Sequence, residues 1–213
     1  MISHPNKTKV FVLSTSISVH YGPYLERALG DTSYYFRKTG EEKELIGYPE
    51  LQIPNAKNTE KAKQYLKLMQ GSLQTDILLL GMGLHDIRVD SKTDSPQIPI
   101  DIYEKNLEEI LSLSKKLAKQ VFWVTVTAFD EERHNNSPDI QFKRFEKDSE
   151  AYHNIALEVM KRNNIPVIDL RTFTKNITGD IFIDHCHFTD DVREKQGVFI
   201  ANEIKNLRES LGI

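Results

Sequence analysis

The sequence predicts a three-layer α/β/α domain built on a parallel sheet of about five strands. Three observations lead there. Short apolar runs alternate with amphipathic helical stretches along the chain. Several of those runs are continuously apolar, as strands buried on both faces are. Strands separated by helices must pair in parallel, because the chain crosses back over the sheet between them.

The elements follow in order. "KVFVLST" (9–15) is a buried strand, and "GPYLERALG" (22–30) is a helix with Pro23 at its start and Gly30 at its end. "SYYFRK" (33–38) is a short aromatic strand. Residues 59–70 place Ala62, Tyr65, Leu66 and Met69 on one helical face. "DILLLGMG" (76–83) is a buried strand, and residues 101–118 carry a helical stripe of Tyr103, Leu107, Ile110, Leu111 and Leu117. "VFWVTVT" (121–127) is another buried strand, with Trp123 in the core. Tyr152, Ile155, Ala156, Val159 and Met160 mark a helix within 143–163, and "IPVIDL" (165–170) is the last strand. Ile200, Ala201, Ile204, Leu207 and Leu211 mark the closing helix. Two connections, 87–100 and 128–142, are long and polar, and such loops in α/β domains are often functional.

A chain of 213 residues suits one domain, spanning 1–213, with a sizeable core. With 39% hydrophobic and 28% charged residues and a net charge of −3, it carries no basic stripe, so nucleic acid is not expected as a partner. No segment approaches membrane-spanning length, and the apolar run in "MISHPNKTKVFVLSTS" is too short and too β-branched for a signal peptide. The single cysteine, Cys186, leaves no intrachain disulfide, and a reduced, cytoplasmic setting is the expectation.

Ligands of such sheets bind beyond the carboxyl ends of the strands. After the first strand comes "STSIS" (14–18), where a serine can meet converging backbone N–H groups; Ser14, Ser16 and Ser18 all qualify. Within "GMGLHDIR" (81–88), Gly81 and Gly83 permit a sharp turn before His85 and Asp86. In "DIFIDHCHFTDD" (180–191), Asp184 lies three residues before His187. Around a turn, that carboxylate can accept from Nδ1 and leave Nε2 free as a base. Thr189 is a good N-cap for the last helix, with Asp190 and Asp191 at its positive end. A buried Cys186 reads as packing.

Taken together, "STSIS", "GLHD" and "DHCH" resemble the serine, G-x-N-D and D-x-x-H motifs of the SGNH, or GDSL-like, hydrolase superfamily, in order and over nearly the whole chain. The resemblance implies a flavodoxin-like doubly wound sheet and a serine esterase. Ser16 would be the nucleophile, His187 the base and Asp184 its orienting partner, with Ser16 N–H and His85 as oxyanion donors. Ser14 and Thr15 stand where the family has glycine and aspartate, and His85 stands where it has asparagine. The family's glycine oxyanion donor has no clear counterpart; Asn55 to Asn58 occupy its place, with Asn55 the leading polar contributor. "GLHD" also resembles a bacterial subgroup related to carbohydrate acetylesterases, which implies an O-acetyl sugar as substrate. The implied partner is a small-molecule ester, with no cofactor, no metal and no membrane. Two other readings stand beside it. One is a metal-dependent hydrolase using His85, Asp86, Asp184, His185 and His187. The other is a binding domain whose serine motif has decayed. His4, His20, His134 and His153 are expected to lie outside the chemistry, His20 with a surface, capping or pocket-lining role.

Overall fold

The computed structural model describes residues 7–90 and 94–212. His4, and residues 91–93 of the first long connection, lie outside them. Five strands form one parallel sheet: β1 (Thr8–Ser14), β2 (Ser33–Arg37), β3 (Thr75–Gly81), β5 (Ala118–Val124) and β7 (Val167–Ile168). Their spatial order is β2-β1-β3-β5-β7. A separate antiparallel ribbon joins β4 (Val89–Asp90) to β6 (Phe142–Lys143). The helices are α1 (Ser16–Leu29), α2 (Thr59–Leu68), α3 (Ile100–Ser114), α4 (Glu131–Asn135), α5 (Glu146–Arg162), α6 (Leu170–Lys175) and α7 (Asp190–Leu211).

The period-2 alternation of each strand builds two cores. Phe11, Leu13, Leu78 and Leu80 face α2, α3 and α5, where Tyr65, Leu107, Ile110 and Val159 are fully buried. Val10, Val12, Ile77 and Leu79 face α1 and α7, meeting Tyr21, Leu25, Ile200 and Ile204. Truncating any of these buried leucines to alanine costs about 2–5 kcal/mol. Strand order reverses between β1 and β3, so a crevice opens at their carboxyl ends. Among the described residues, no helix is long and apolar enough to cross a membrane.

Several boundaries differ from the sequence expectation. Pro23 does not start a helix; α1 begins at Ser16, and Pro23 lies inside it. The interior proline is accommodated because α1 is clamped from both sides. A Cβ on Gly22 would come within 2.5 Å of Tyr35 Oη, and one on Gly197 of α7 within 2.6 Å of Leu25 N. Helix stability here comes from close packing rather than from a complete hydrogen-bond ladder. The third predicted buried strand begins at Ala118, not Val121, because its register on β3 pairs Thr75 with Ala118. β7 keeps only two paired residues, and Asp169 caps a short helix, α6, by accepting from Thr172 N. α3 ends at Ser114, with Leu117 just beyond it. The two long connections are not independent loops: β4 and β6 belong one to each and pair with each other.

Candidate active site

The nucleophile candidate is placed by a strand-to-helix junction. Ser14 ends β1, Thr15 is extended at the N-cap of α1, and Ser16 is the first helical residue. The other two serines are committed elsewhere. Ser14 Oγ donates to Gly81 O (2.6 Å), and Ser18 Oγ donates to Thr15 O (2.8 Å). Ser16 Oγ lies 2.9 Å from His187 Nε2.

His187 is held by a tight loop before α7. Ile183 N donates to His187 O (2.9 Å), Thr189 N donates to Ile181 O (2.9 Å), and Phe182 bridges Phe188. This closure brings the two residues three apart together, with His187 Nδ1 2.7 Å from Asp184 Oδ2. Asp184 Oδ1 accepts from Cys186 N and His187 N, each at 2.8 Å. Partial burial works to raise the Asp184 pKa, but these hydrogen bonds outweigh it and hold the carboxyl at about 2. Thr189 takes the N-cap position, although its side chain makes no capping bond.

The third element is the turn after β3. Gly81 is required by close approach rather than by turning: a Cβ there would lie 2.8 Å from Val124 O. Gly83, at φ 151, makes the turn. His85 Nε2 then lies 3.3 Å from Asn55 Nδ2. Burial, with Arg88 and Arg144 nearby, lowers the His85 pKa to about 2, so the ring is neutral. A neutral imidazole facing an amide N–H₂ accepts through Nε2 and carries its proton on Nδ1. Asp86 is fully buried; its Oδ1 accepts from Thr59 N (2.9 Å) and Thr59 Oγ1 (2.5 Å).

The 55–58 segment sorts itself by its hydrogen bonds. Ala56 N donates to Ser14 O (2.9 Å), and Lys57 N donates to Asn55 Oδ1 (2.7 Å). Asn58 caps α2 by accepting from Lys61 N. That leaves Asn55, whose amide faces His85, as the polar group presented to the crevice. Lys57 holds a positive φ of 58°, a conformation that non-glycine residues adopt at a cost.

The structure brings His20, for which pocket lining was one expectation, into the site, and adds residues that the sequence reading had passed over. His20 packs against His187 with ring centroids 4.6 Å apart and planes tilted by 44°, which makes it part of the site's wall. Burial and the charges of His187 and Arg193 bring its pKa down to about 4. Lys38 is buried and donates from Nζ to Leu51 O (2.5 Å) and to Ile53 O, fixing the segment that leads to Asn55. Arg144 Nε donates to Leu84 O (2.8 Å) in the His85 turn. Cys186 packs as expected, and burial pushes its thiol up to about 11. The five residues of the metal reading are not assembled. Among the described residues, the group with ligand atoms close together is Asp184, His185 and Cys186, within 4.8 Å, while Asp86 is engaged by Thr59. A cleft of about 1220 Å³ lies at the amino ends of β1, β3 and β5, the opposite end of β1 from Ser16.

No family model matches the sequence, and no curated protein matches it. Solved structures do match the fold. A lipase/acylhydrolase from Enterococcus faecalis superposes with a TM-score of 0.65 at 20% identity, over 93% of this chain and 96% of that one. An acetyl xylan esterase gives 0.62 at 19%, over 93% and 98%. A carbohydrate acetylesterase from Sinorhizobium meliloti gives 0.61 at 12%, over 94% and 100%. The chain has the α/β fold of the SGNH hydrolases, with a parallel five-stranded sheet between helices.

Proposed function

We propose that the protein is a serine ester hydrolase that works through an acyl-enzyme on Ser16. The observation that carries this reading is the continuous chain Ser16 Oγ–His187 Nε2–Asp184 Oδ2, at 2.9 and 2.7 Å, at the mouth of the β1/β3 crevice. Asp184 accepts the Nδ1 proton, which fixes the tautomer and leaves Nε2 to take the Ser16 proton as Oγ attacks the ester carbonyl. The tetrahedral oxyanion forms beside Ser16 N–H, at the first turn of α1, where orphan helix N–H groups converge. The alcohol leaves with the proton held by His187, and water attacks the acyl-enzyme by the same route.

The second oxyanion donor is Asn55. Because His85 Nε2 accepts one Asn55 amide hydrogen, the other is free for the oxyanion. His85 then acts through Asn55, as a positioning residue, in place of an asparagine at its own position. The reading of a decayed binding domain is disfavoured, since a retired site has no need to hold three polar groups in this alignment. The substrate is a small carboxylic ester. The structural neighbours described as acetyl xylan and carbohydrate acetylesterases support an O-acetyl group as the acyl part.

The test is fluorophosphonate labelling followed by peptide mass spectrometry. Label on Ser16, absent from Ser16→Ala and unaffected by EDTA, is the expected result. A folded, unlabelled wild-type protein that hydrolyses no ester would overturn the reading.

A further inference from the structure

A second cleft, about 300 Å³, opens between α1 and the carboxyl end of β2. Its walls are Val19, Gly22 and Pro23 of α1, Tyr35, Arg37 and Thr39 at the carboxyl end of β2, and Pro54, with Glu26 on the exposed rim. Two of these residues tie the cleft to the reaction centre. Val19 lies three residues after Ser16, one turn along the same helical face. Pro54 directly precedes Asn55.

Arg37 is the chemically distinctive member. Its Nε donates to Lys38 O (3.3 Å), Nη1 to Ser18 O (3.0 Å) and Nη2 to Pro54 O (3.1 Å). All three acceptors are uncharged carbonyls, so these bonds fix the fork in place without neutralising it. A guanidinium has five N–H groups; the three backbone bonds leave two, and the Tyr35 hydroxyl, hydrogen-bonded to the Arg37 side chain, takes one of them. A pre-positioned cation with a donor to spare, in a concave and largely apolar site, suits charge-assisted recognition of a carboxylate. Arg37 is also among the charges that act on His20, in the wall of the site.

We infer that the cleft receives a carboxylate on the alcohol half of the substrate, bound by Arg37, so that the enzyme favours acyl esters of hydroxy acids over neutral esters. This rests on the esterase reading. Val19, Pro23 and Pro54 would pack the carbon skeleton between the ester and the acid, and Thr39 adds a hydroxyl. Arg37 bonds the backbone on both sides of the crevice, at Ser18 and next to Asn55. An acid seated on it is therefore registered against the nucleophile and the oxyanion donor together.

The experiment compares 4-acetoxybenzoate and 3-acetoxybenzoate with their methyl esters. Each kcat/KM is divided by the alkaline hydrolysis rate of the same compound, which removes leaving-group differences. The wild type is expected to favour the acids, and Arg37→Gln to lower the acid-to-ester ratio about 10- to 100-fold, the scale of a charge-assisted pair. Arg37→Lys should keep part of the preference. Because the variant also loses backbone bonds, a wild-type measurement runs beside it: competitive inhibition by 4-hydroxybenzoate and by its methyl ester, with the acid expected to bind at least about 10-fold tighter. Hydrolysis with equal ratios, or with inhibition constants indifferent to charge, overturns the inference and leaves the esterase standing. No hydrolysis and no label on Ser16 overturns both.

Discussion

Asp86→Asn should stabilise the protein at alkaline pH and leave it nearly unchanged in mild acid. Asp86 is fully buried, and while Oδ1 takes both Thr59 hydrogen bonds, Oδ2 has no partner. Burial raises its pKa from 3.8 to about 7 against the pull of those bonds. An unfolded aspartate titrates near 3.9, so between about pH 4 and pH 7 the folded protein keeps a proton that the unfolded chain has lost. Stability contributed by this site therefore falls as pH rises through that window. Three pKa units correspond to about 4 kcal/mol in all. His20, His85 and His134 act in the opposite sense. Burial holds them neutral well below their ordinary pKa, so they make stability rise with pH up to about 6.5. The diagnostic quantity is thus the difference between variant and wild type. Asparagine keeps the acceptor facing Thr59 and never ionises. Guanidinium unfolding at pH 5, 6, 7 and 8 should show the gap in favour of Asp86→Asn widening by about 3 kcal/mol across the series. A gap that stays constant within about 0.5 kcal/mol would show that Asp86 does not titrate in this range and would refute the argument.

Substitutions at three further positions test the site and its support. Asn55→Ala should reduce kcat by about 10²–10³ and slow, without abolishing, the labelling of Ser16, as loss of one oxyanion donor does, measured by steady-state kinetics on an acetyl ester; His85→Gln, which preserves an acceptor toward Asn55, should be milder than His85→Leu. Gly197→Ala should destabilise by about 1–3 kcal/mol in thermal unfolding although alanine is the better helix former, because the added methyl meets Leu25 N at 2.6 Å and Tyr24 Cβ at 2.7 Å and forces α1 away from α7.

The strands and the long helices were legible because each carries its own pattern. β1, β3 and β5 each contain an apolar run of four or more residues, and α2, α3 and α5 keep their stripes. Pro23 misled because a proline is a local signal, and in α1 tertiary packing overrides it. β7 was read too long because the apolar Leu170 follows Asp169 in "VIDL", whereas the strand's end is set by Asp169 turning the chain into α6. At the site, the strand ends pointed to Ser14, Ser16 and Ser18 alike and to Asp184 and His187; the resemblance of the three motifs to the SGNH hydrolases is what singled out Ser16. Arg37, Lys38 and Arg144 could not be picked out, since a cation bonded to distant backbone carbonyls has no sequence signature; apart from the bond of Arg37 to Lys38 O, those partners are 13 to 60 residues away.

What the two long connections do follows from the same long-range bonds. The first closes on itself, with Gln97 N donating to Arg88 O, and is tied to α5 by Tyr152 Oη donating to Ile98 O. Once β4 and β6 pair, the first is anchored to the second, and Arg144, next to β6, reaches Leu84 in the His85 turn. Ahead of α4, Asp130 N donates to His185 O (2.8 Å), and Arg133 Nη1 donates to Asp184 O (3.0 Å). The ribbon side therefore holds the His85 turn while the α4 side holds the 184–187 loop. One inserted unit spans two of the three strand ends that carry the candidate residues. Ser16 needs no such brace, because its position is fixed by β1 and by α1 wedged against Gly197. The distances within the site then depend on two rigid bodies: the strand-to-helix junction and the braced pair of turns. Their separation is bridged by the 2.9 Å contact between Ser16 and His187. Loosening the ribbon should lengthen that contact and that of Asn55 with His85 together, whereas damage at Gly197 moves only the serine.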